Sequence, residues 1–126
     1  MKYRNILLID DDEDDQEIFL SAVAQLSTSA QCMALPDATD ALHKLSSKQI
    51  SPDVIFLDLN MPVMNGQQFL MEIKKRNDLK NIPVIIISTS AHPQTIELTK
   101  DMGAIDFITK PPRYDELITI LSSFVN

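Results

Sequence analysis

Five short apolar runs punctuate the chain: Ile6–Ile9, Gln31–Leu35, Val54–Leu57, Val84–Ile87 and Ile105–Ile108. The second is weak. Three of the others are near-continuous Val, Ile, Leu and Phe, the pattern of strands buried on both faces. Longer amphipathic stretches separate them. Ile18, Phe19, Ala22, Val23 and Leu26 recur at helical spacing, as do Ala38, Ala41, Leu42 and Leu45. Phe69, Leu70 and Ile73 mark a third helix, and Leu117, Ile118, Leu121 and Phe124 a last one. A fourth, about Pro93 to Met102, has only the thin stripe Ile96, Thr99, Met102 and is expected to be the least firmly packed.

Start and stop signals agree with these elements. Asp37 and Asn65 suit helix N-caps. Pro93 suits a first helical turn and Gly103 a helix end. Pro52, Pro62, Pro83 and Pro111 fall in loops or at strand edges. Strand and helix alternate five times, which predicts a doubly wound α/β domain, (βα)5, with a parallel sheet and right-handed crossovers. In such sheets ligands sit beyond the carboxyl ends of the strands. Polar residues that end different strands are therefore expected to converge.

Composition narrows the function classes. The 126 residues suffice for one domain with a real core, and 44% hydrophobic with 23% charged residues is ordinary globular usage. The net charge of −7 argues against nonspecific nucleic-acid binding and against adhesion to anionic membrane. The apolar runs are too short to span a bilayer. Cys32, the single cysteine, cannot form an internal disulfide, and a reducing cytoplasm is the expected location. The charge is concentrated in one place: six acids run from Asp10 to Asp15, directly after the first apolar run.

Four predicted strands end in reactive side chains. They are Asp10 and Asp11 after the first, Asp58 after the third, Ser88 with Thr89 after the fourth, and Thr109 with Lys110 after the fifth. Two carboxylates 4 Å apart repel by about 4 kcal/mol at an effective dielectric of about 20. A divalent cation removes that conflict, and an all-oxygen ligand set suits Mg2+ or Mn2+ rather than zinc. A cation, an ammonium and a hydroxyl around one carboxylate make a phosphoryl-transfer site, with Asp58 as the nucleophile. Asp12 to Asp15 read as solvated acids in a first helical turn. His43 and His92 read as surface residues, Met61 and Met64 as loop packing, and Gly66 as the residue that permits the turn into the third helix.

The segment Asp58-Leu59-Asn60-Met61-Pro62-Val63-Met64-Asn65-Gly66 reads D-x-x-M-P-x-M-x-G. With the Asp10-Asp11 pair, Ser88 and Lys110-Pro111, the chain resembles a receiver domain of the two-component response regulators, the CheY-like family, from Asn5 to Phe124. The intervals of 30 residues from Asp58 to Ser88 and 22 from Ser88 to Lys110 are also like the family's. The resemblance implies a flavodoxin-like sheet in the order 2-1-3-4-5. It implies that residues 1–126 form a single stand-alone receiver with no output domain. Asp58 would be the phosphoacceptor. Asp10, Asp11, Asp58 and the backbone carbonyl of Asn60 would hold Mg2+ or Mn2+. Lys110 and Ser88 would contact the phosphoryl group, and Phe107 would be the aromatic switch. The Lys110–Pro111 bond would be cis. Two positions depart from the family pattern. Thr89 stands where Ala or Gly is common, so its hydroxyl and that of Ser88 are not separable. Pro112 follows Pro111 where a bulky residue is common.

The same resemblance implies the partners. A sensor histidine kinase or a histidine phosphotransfer domain would supply the phosphoryl group, and a downstream protein would read the face made by the fourth helix, fifth strand and fifth helix. The chain would modify itself rather than act as an enzyme on other substrates. Relay of phosphoryl to a phosphotransfer domain is the alternative, and the last helices leave a homodimer open. A phosphohydrolase of the haloacid-dehalogenase type is a weaker fit, because its D-x-D pair follows the first strand. A flavin or nucleotide binder is weaker still, because no Gly-rich loop follows the first strand.

Overall fold

The computed structural model describes residues 2–126. Among them five parallel strands alternate with five helices. The order is β1 (Asn5–Ile9), α1 (Glu13–Leu26), β2 (Gln31–Leu35), α2 (Ala38–Ser46), β3 (Val54–Leu57), α3 (Gly66–Lys75), β4 (Val84–Ser88), α4 (Pro93–Asp101), β5 (Asp106–Thr109) and α5 (Tyr114–Leu121). The sheet order is β2-β1-β3-β4-β5, as expected. Neighbouring strands pair in parallel, with Leu8 opposite Ala34 on one side and Phe56 on the other.

Side chains alternate across each strand, so one strand feeds two cores. Leu7, Ile9, Ile55, Leu57 and Ile86 pack with Ala41, Leu45, Phe69, Leu70 and Ile73 of α2 and α3. Leu8, Phe56, Ile85 and Ile87 pack with Phe19, Val23, Leu117 and Leu121 of α1 and α5. Phe19 and Phe124 both meet Phe56 edge-on, with ring centroids 5.1 and 5.8 Å away. This burial on both faces is why β1, β3 and β4 read as continuous apolar runs rather than alternating ones.

The caps fall where the sequence places them. Asp37 accepts the N–H groups of Thr39 and Asp40, and Asn65 makes a reciprocal capping box with Gln68. Pro93 opens α4, and Gly103 follows it at φ 108°, a conformation that glycine adopts without strain. Only Thr99 is buried on α4, in agreement with its thin apolar stripe.

Two local expectations are corrected. The fifth strand is Asp106–Thr109, one residue later than the apolar run Ile105–Ile108. Ile105 is exposed, and its N–H goes to the Val84 carbonyl just before the ladder begins. The Lys110–Pro111 peptide is trans, since no cis bond occurs among the described residues. Trans is the ordinary preference of an X–Pro bond. The lysine is aimed instead by the carboxylates that bind it, as described next.

Candidate functional site

The sheet carries its hydrogen bonding beyond the strands and fixes the backbone of the site. Asp10 N–H donates to Leu35 O (3.1 Å), Asp58 N–H to Ile9 O (2.9 Å) and Lys110 N–H to Ser88 O (2.7 Å). These bonds extend the pairing of β1 with β2, of β3 with β1 and of β5 with β4 by one step past the strand ends. Asp10, Asp11 and Asp58 each offer a carboxylate oxygen, and these oxygens lie within 4.8 Å of one another. Asp10 and Asp58 are buried, at 1% and 4% exposure, while Asp11 is open to solvent. The group thus has a dry floor and one open side.

Lys110 reaches over the same floor. Its Nζ donates to Asp10 Oδ2 at 2.8 Å and to Asp15 Oδ2 at 2.8 Å, and stands 3.9 Å from Asp58 Oδ1. Burial alone would lower the ammonium's pKa, but the hydrogen bonds to Asp10 and Asp15 reverse this and raise it above the ordinary lysine value. Lys110 is therefore a fixed positive charge at any working pH. Asp58 behaves oppositely. Burial pushes its carboxyl up to about 6, Asp10 and Asp11 push the same way, and Lys110 and the Asn60 N–H oppose them. The Asn60 N–H lies 3.5 Å from Asp58 Oδ1.

Ser88 is fully buried at the end of β4, and its Oγ accepts the Ser90 N–H at 3.4 Å. Thr89, beside it, is exposed, which separates the two hydroxyls that the sequence leaves joined. Phe107 is half-buried against the core under α3. It also borders a cleft of about 300 Å3 lined by Ile96, Thr99, Ala104 and Thr109. His92 is exposed at the N-terminus of α4, and His43 is exposed on α2.

Gly66, the first residue of α3, has a role other than the turn expected of it. A Cβ there would lie 2.5 Å from the Asp58 carbonyl oxygen and 2.8 Å from Leu59 Cα. The start of α3 thus packs directly on the backbone that carries Asp58. The sequence signal was present as the glycine of the D-x-x-M-P-x-M-x-G segment, but its cause is close approach rather than a turn. Asp15 is the residue that sequence reading misses. Spacing alone does not distinguish it from Asp14; only the direction in which α1 leaves β1 brings it to Lys110. Asp12, by contrast, is the N-cap of α1 and accepts the Asp15 N–H at 3.0 Å.

The donor set fits a divalent cation. Three carboxylate oxygens this close repel strongly unless a positive charge stands among them, and oxygen-only ligands match Mg2+ or Mn2+. What the fold and site define is a doubly wound α/β domain with a carboxylate–lysine pocket at its strand ends. The family model for the response regulator receiver domain matches residues 6–122, and the chain belongs to that family of two-component signalling proteins.

Among curated relatives, a protein-glutamate methylesterase/protein-glutamine glutaminase of Treponema denticola is 51% identical over 74 residues, covering 56% of this chain and 18% of that protein. The chain spans about a fifth of the length of this relative and of two response regulator-like proteins of Arabidopsis thaliana that it also matches. Among solved structures, the phosphorylated cyanobacterial phytochrome response regulator RcpA is similar at TM-score 0.87 and 29% identity, covering 96% of this chain and 90% of that one. The Mn2+-bound form of the response regulator Rcp1 is similar at TM-score 0.83 and 26% identity, covering 94% and 90%. No helix among the described residues is long and apolar enough to cross a membrane.

Proposed function

We propose that the chain is a cation-dependent phosphorylation switch in which Asp58 accepts a phosphoryl group from a phosphohistidine. The observation that carries this reading is one buried carboxylate, Asp58, with two further carboxylates within 4.8 Å and an ammonium at 3.9 Å. The structural likeness to a phosphorylated regulator and to a Mn2+-bound one supports it.

Asp58 is the nucleophile. With its carboxyl pushed up to about 6, it is ionised at neutral pH yet poorly solvated, which favours attack. A carboxylate oxygen bonds to phosphorus as the P–N bond of the donor breaks, and that electron pair leaves with the imidazole nitrogen. The product is an acyl phosphate on Asp58. A divalent cation held by Asp10, Asp11, Asp58 and the Asn60 carbonyl would be Mg2+, and it would neutralise charge on the transferring group. Lys110 supplies the second positive charge, and the Ser88 hydroxyl donates a hydrogen bond to a phosphoryl oxygen.

The phosphoryl group adds about 1.5 to 2 negative charges and three acceptor oxygens at the end of β3. Re-pairing of Lys110 and Ser88 then biases the face formed by α4, β5 and α5. That face is suited to movement. The one buried residue of α4, Thr99, satisfies its hydroxyl within its own helix, on Thr95 O and Ile96 O, so no side-chain hydrogen bond from it ties α4 to the sheet. The cleft beside Phe107 gives its ring a place to turn. A difference of about 1.4 kcal/mol between the two arrangements shifts their populations tenfold. A sensor histidine kinase or a phosphotransfer domain supplies the phosphoryl group, and a protein partner reads the altered face.

Labelling with acetyl phosphate tests the assignment. The unsubstituted chain takes up one phosphoryl group in the presence of Mg2+ and none after chelation. Asp58→Asn takes up none. Undiminished labelling of that variant contradicts the assignment.

A further inference from the structure

The contact between Lys110 and Asp15 is not explained by the roles given above. An ammonium has three N–H donors. Two are engaged at 2.8 Å by Asp10 and Asp15. Asp58, at 3.9 Å, is beyond hydrogen-bond reach. The third N–H is left over, and the two bonds hold the nitrogen where it does not hydrogen-bond Asp58 itself.

The two carboxylates that hold it are not equivalent. Asp10 belongs to the oxygen cluster with Asp11 and Asp58, and Asp15 does not. A cation in the cluster competes with Lys110 for Asp10, while the Asp15 charge stays free for the lysine. Asp15 is also well anchored. Its N–H is bound to Asp12 Oδ1, and the next residue, Gln16, donates Nε2 to the Asp10 carbonyl at 2.6 Å. The first turn of α1 is thus fastened to the end of β1, and it holds the Asp15 carboxylate beside Lys110.

We propose that Asp15 is a positioning residue: it holds the Lys110 ammonium back from Asp58 in the unphosphorylated chain and releases it when the phosphoryl group arrives. This role rests on Asp58 being the phosphoacceptor. It makes the resting state more stable relative to the phosphorylated one, so Asp15 sets how readily the switch is thrown. The side chain of Asp15 is 37% exposed, so solvent screens the pair and the effect is moderate.

Asp15→Asn removes the charge but keeps the backbone N–H that Asp12 caps, so the helix start is retained. The probe is beryllofluoride with saturating Mg2+, titrated by NMR. The unsubstituted chain binds it. Asp15→Asn binds it about threefold to fivefold more tightly, equivalent to about 0.6–1 kcal/mol, and Asp15→Glu returns the affinity toward the original. Equal or weaker binding by Asp15→Asn overturns the proposal, and a purely structural role would give the weaker result. A second readout needs no variant. Hydrogen-bond scalar coupling between Lys110 Nζ and Asp15 Cγ is present in the free chain and lost on binding. Persistence of that coupling overturns the proposal as well. Failure of the unsubstituted chain to bind beryllofluoride would instead remove the phosphoacceptor reading itself, and the role of Asp15 with it.

Discussion

Asp58 is buried among like charges, and the fold sustains this at a cost that depends on pH. Its folded value of about 6 lies above the ordinary 3.8, so the folded chain binds a proton more tightly than the unfolded chain between those limits. Its contribution to stability is therefore greatest below about pH 4, falls as pH rises to about 6, and is constant above. The full change is about 3 kcal/mol at about 1.4 kcal/mol per unit. In chelator, the stability of the unsubstituted chain minus that of Asp58→Asn is expected to fall by this order between pH 4 and pH 6. Urea denaturation at several pH values measures it, and a flat difference contradicts the description of the site. Asp10, Asp11, Asp58 and Lys110 were legible in the sequence because each ends a strand, and parallel strands end at one edge. Asp15 was not, because a helical turn, not a strand, presents it, and its neighbours Asp12, Glu13 and Asp14 look no different on paper.

At the scale of elements, the start of α3 packs on the backbone that carries the site. Asn65 caps α3 through a capping box, and Gly66 lies against the Asp58 carbonyl. Gly66→Ala would force backbone apart, because the nearest atoms are the Asp58 oxygen at 2.5 Å and Leu59 Cα at 2.8 Å. Overpacking of this kind costs about 1–3 kcal/mol. The expected outcome is that loss of stability together with slower labelling by acetyl phosphate, since Asp58 itself is displaced. Normal stability and normal labelling in this variant would show that the contact is not restrictive. The cap at Asn65 was readable from residue type, but the packing of Gly66 was not, because a sequence does not show which backbone passes behind a glycine. The offset at β5 has a similar origin. Ile105 is as apolar as Phe107 and Ile108, yet it is exposed because the ladder with β4 begins at Asp106. The cis bond expected at Lys110–Pro111 came from family resemblance alone, and no residue pattern in this chain specified it.

The whole molecule divides its labour between its two ends and its two faces. The double core under β1, β3 and β4 sets a firm platform, and its continuous apolar runs made the fold readable at once. The strand order carries the chemistry, because it places β1 between β2 and β3 and so sets Asp10 and Asp11 beside Asp58. The lightly anchored α4 lies beside β5 and gives the platform a responsive edge. In the proposed switch, what passes from site to edge would be a change in where Lys110 and Ser88 are bound, and this requires that the phosphoryl group be on Asp58 and nowhere else. The direct test is borohydride reduction of the chain after treatment with acetyl phosphate and Mg2+, followed by peptide mass spectrometry. The account predicts reduction of the side chain at position 58 to the alcohol, absent when the cation is chelated. Reduction at another carboxylate instead, or an unmodified Asp58 under labelling conditions, would contradict it.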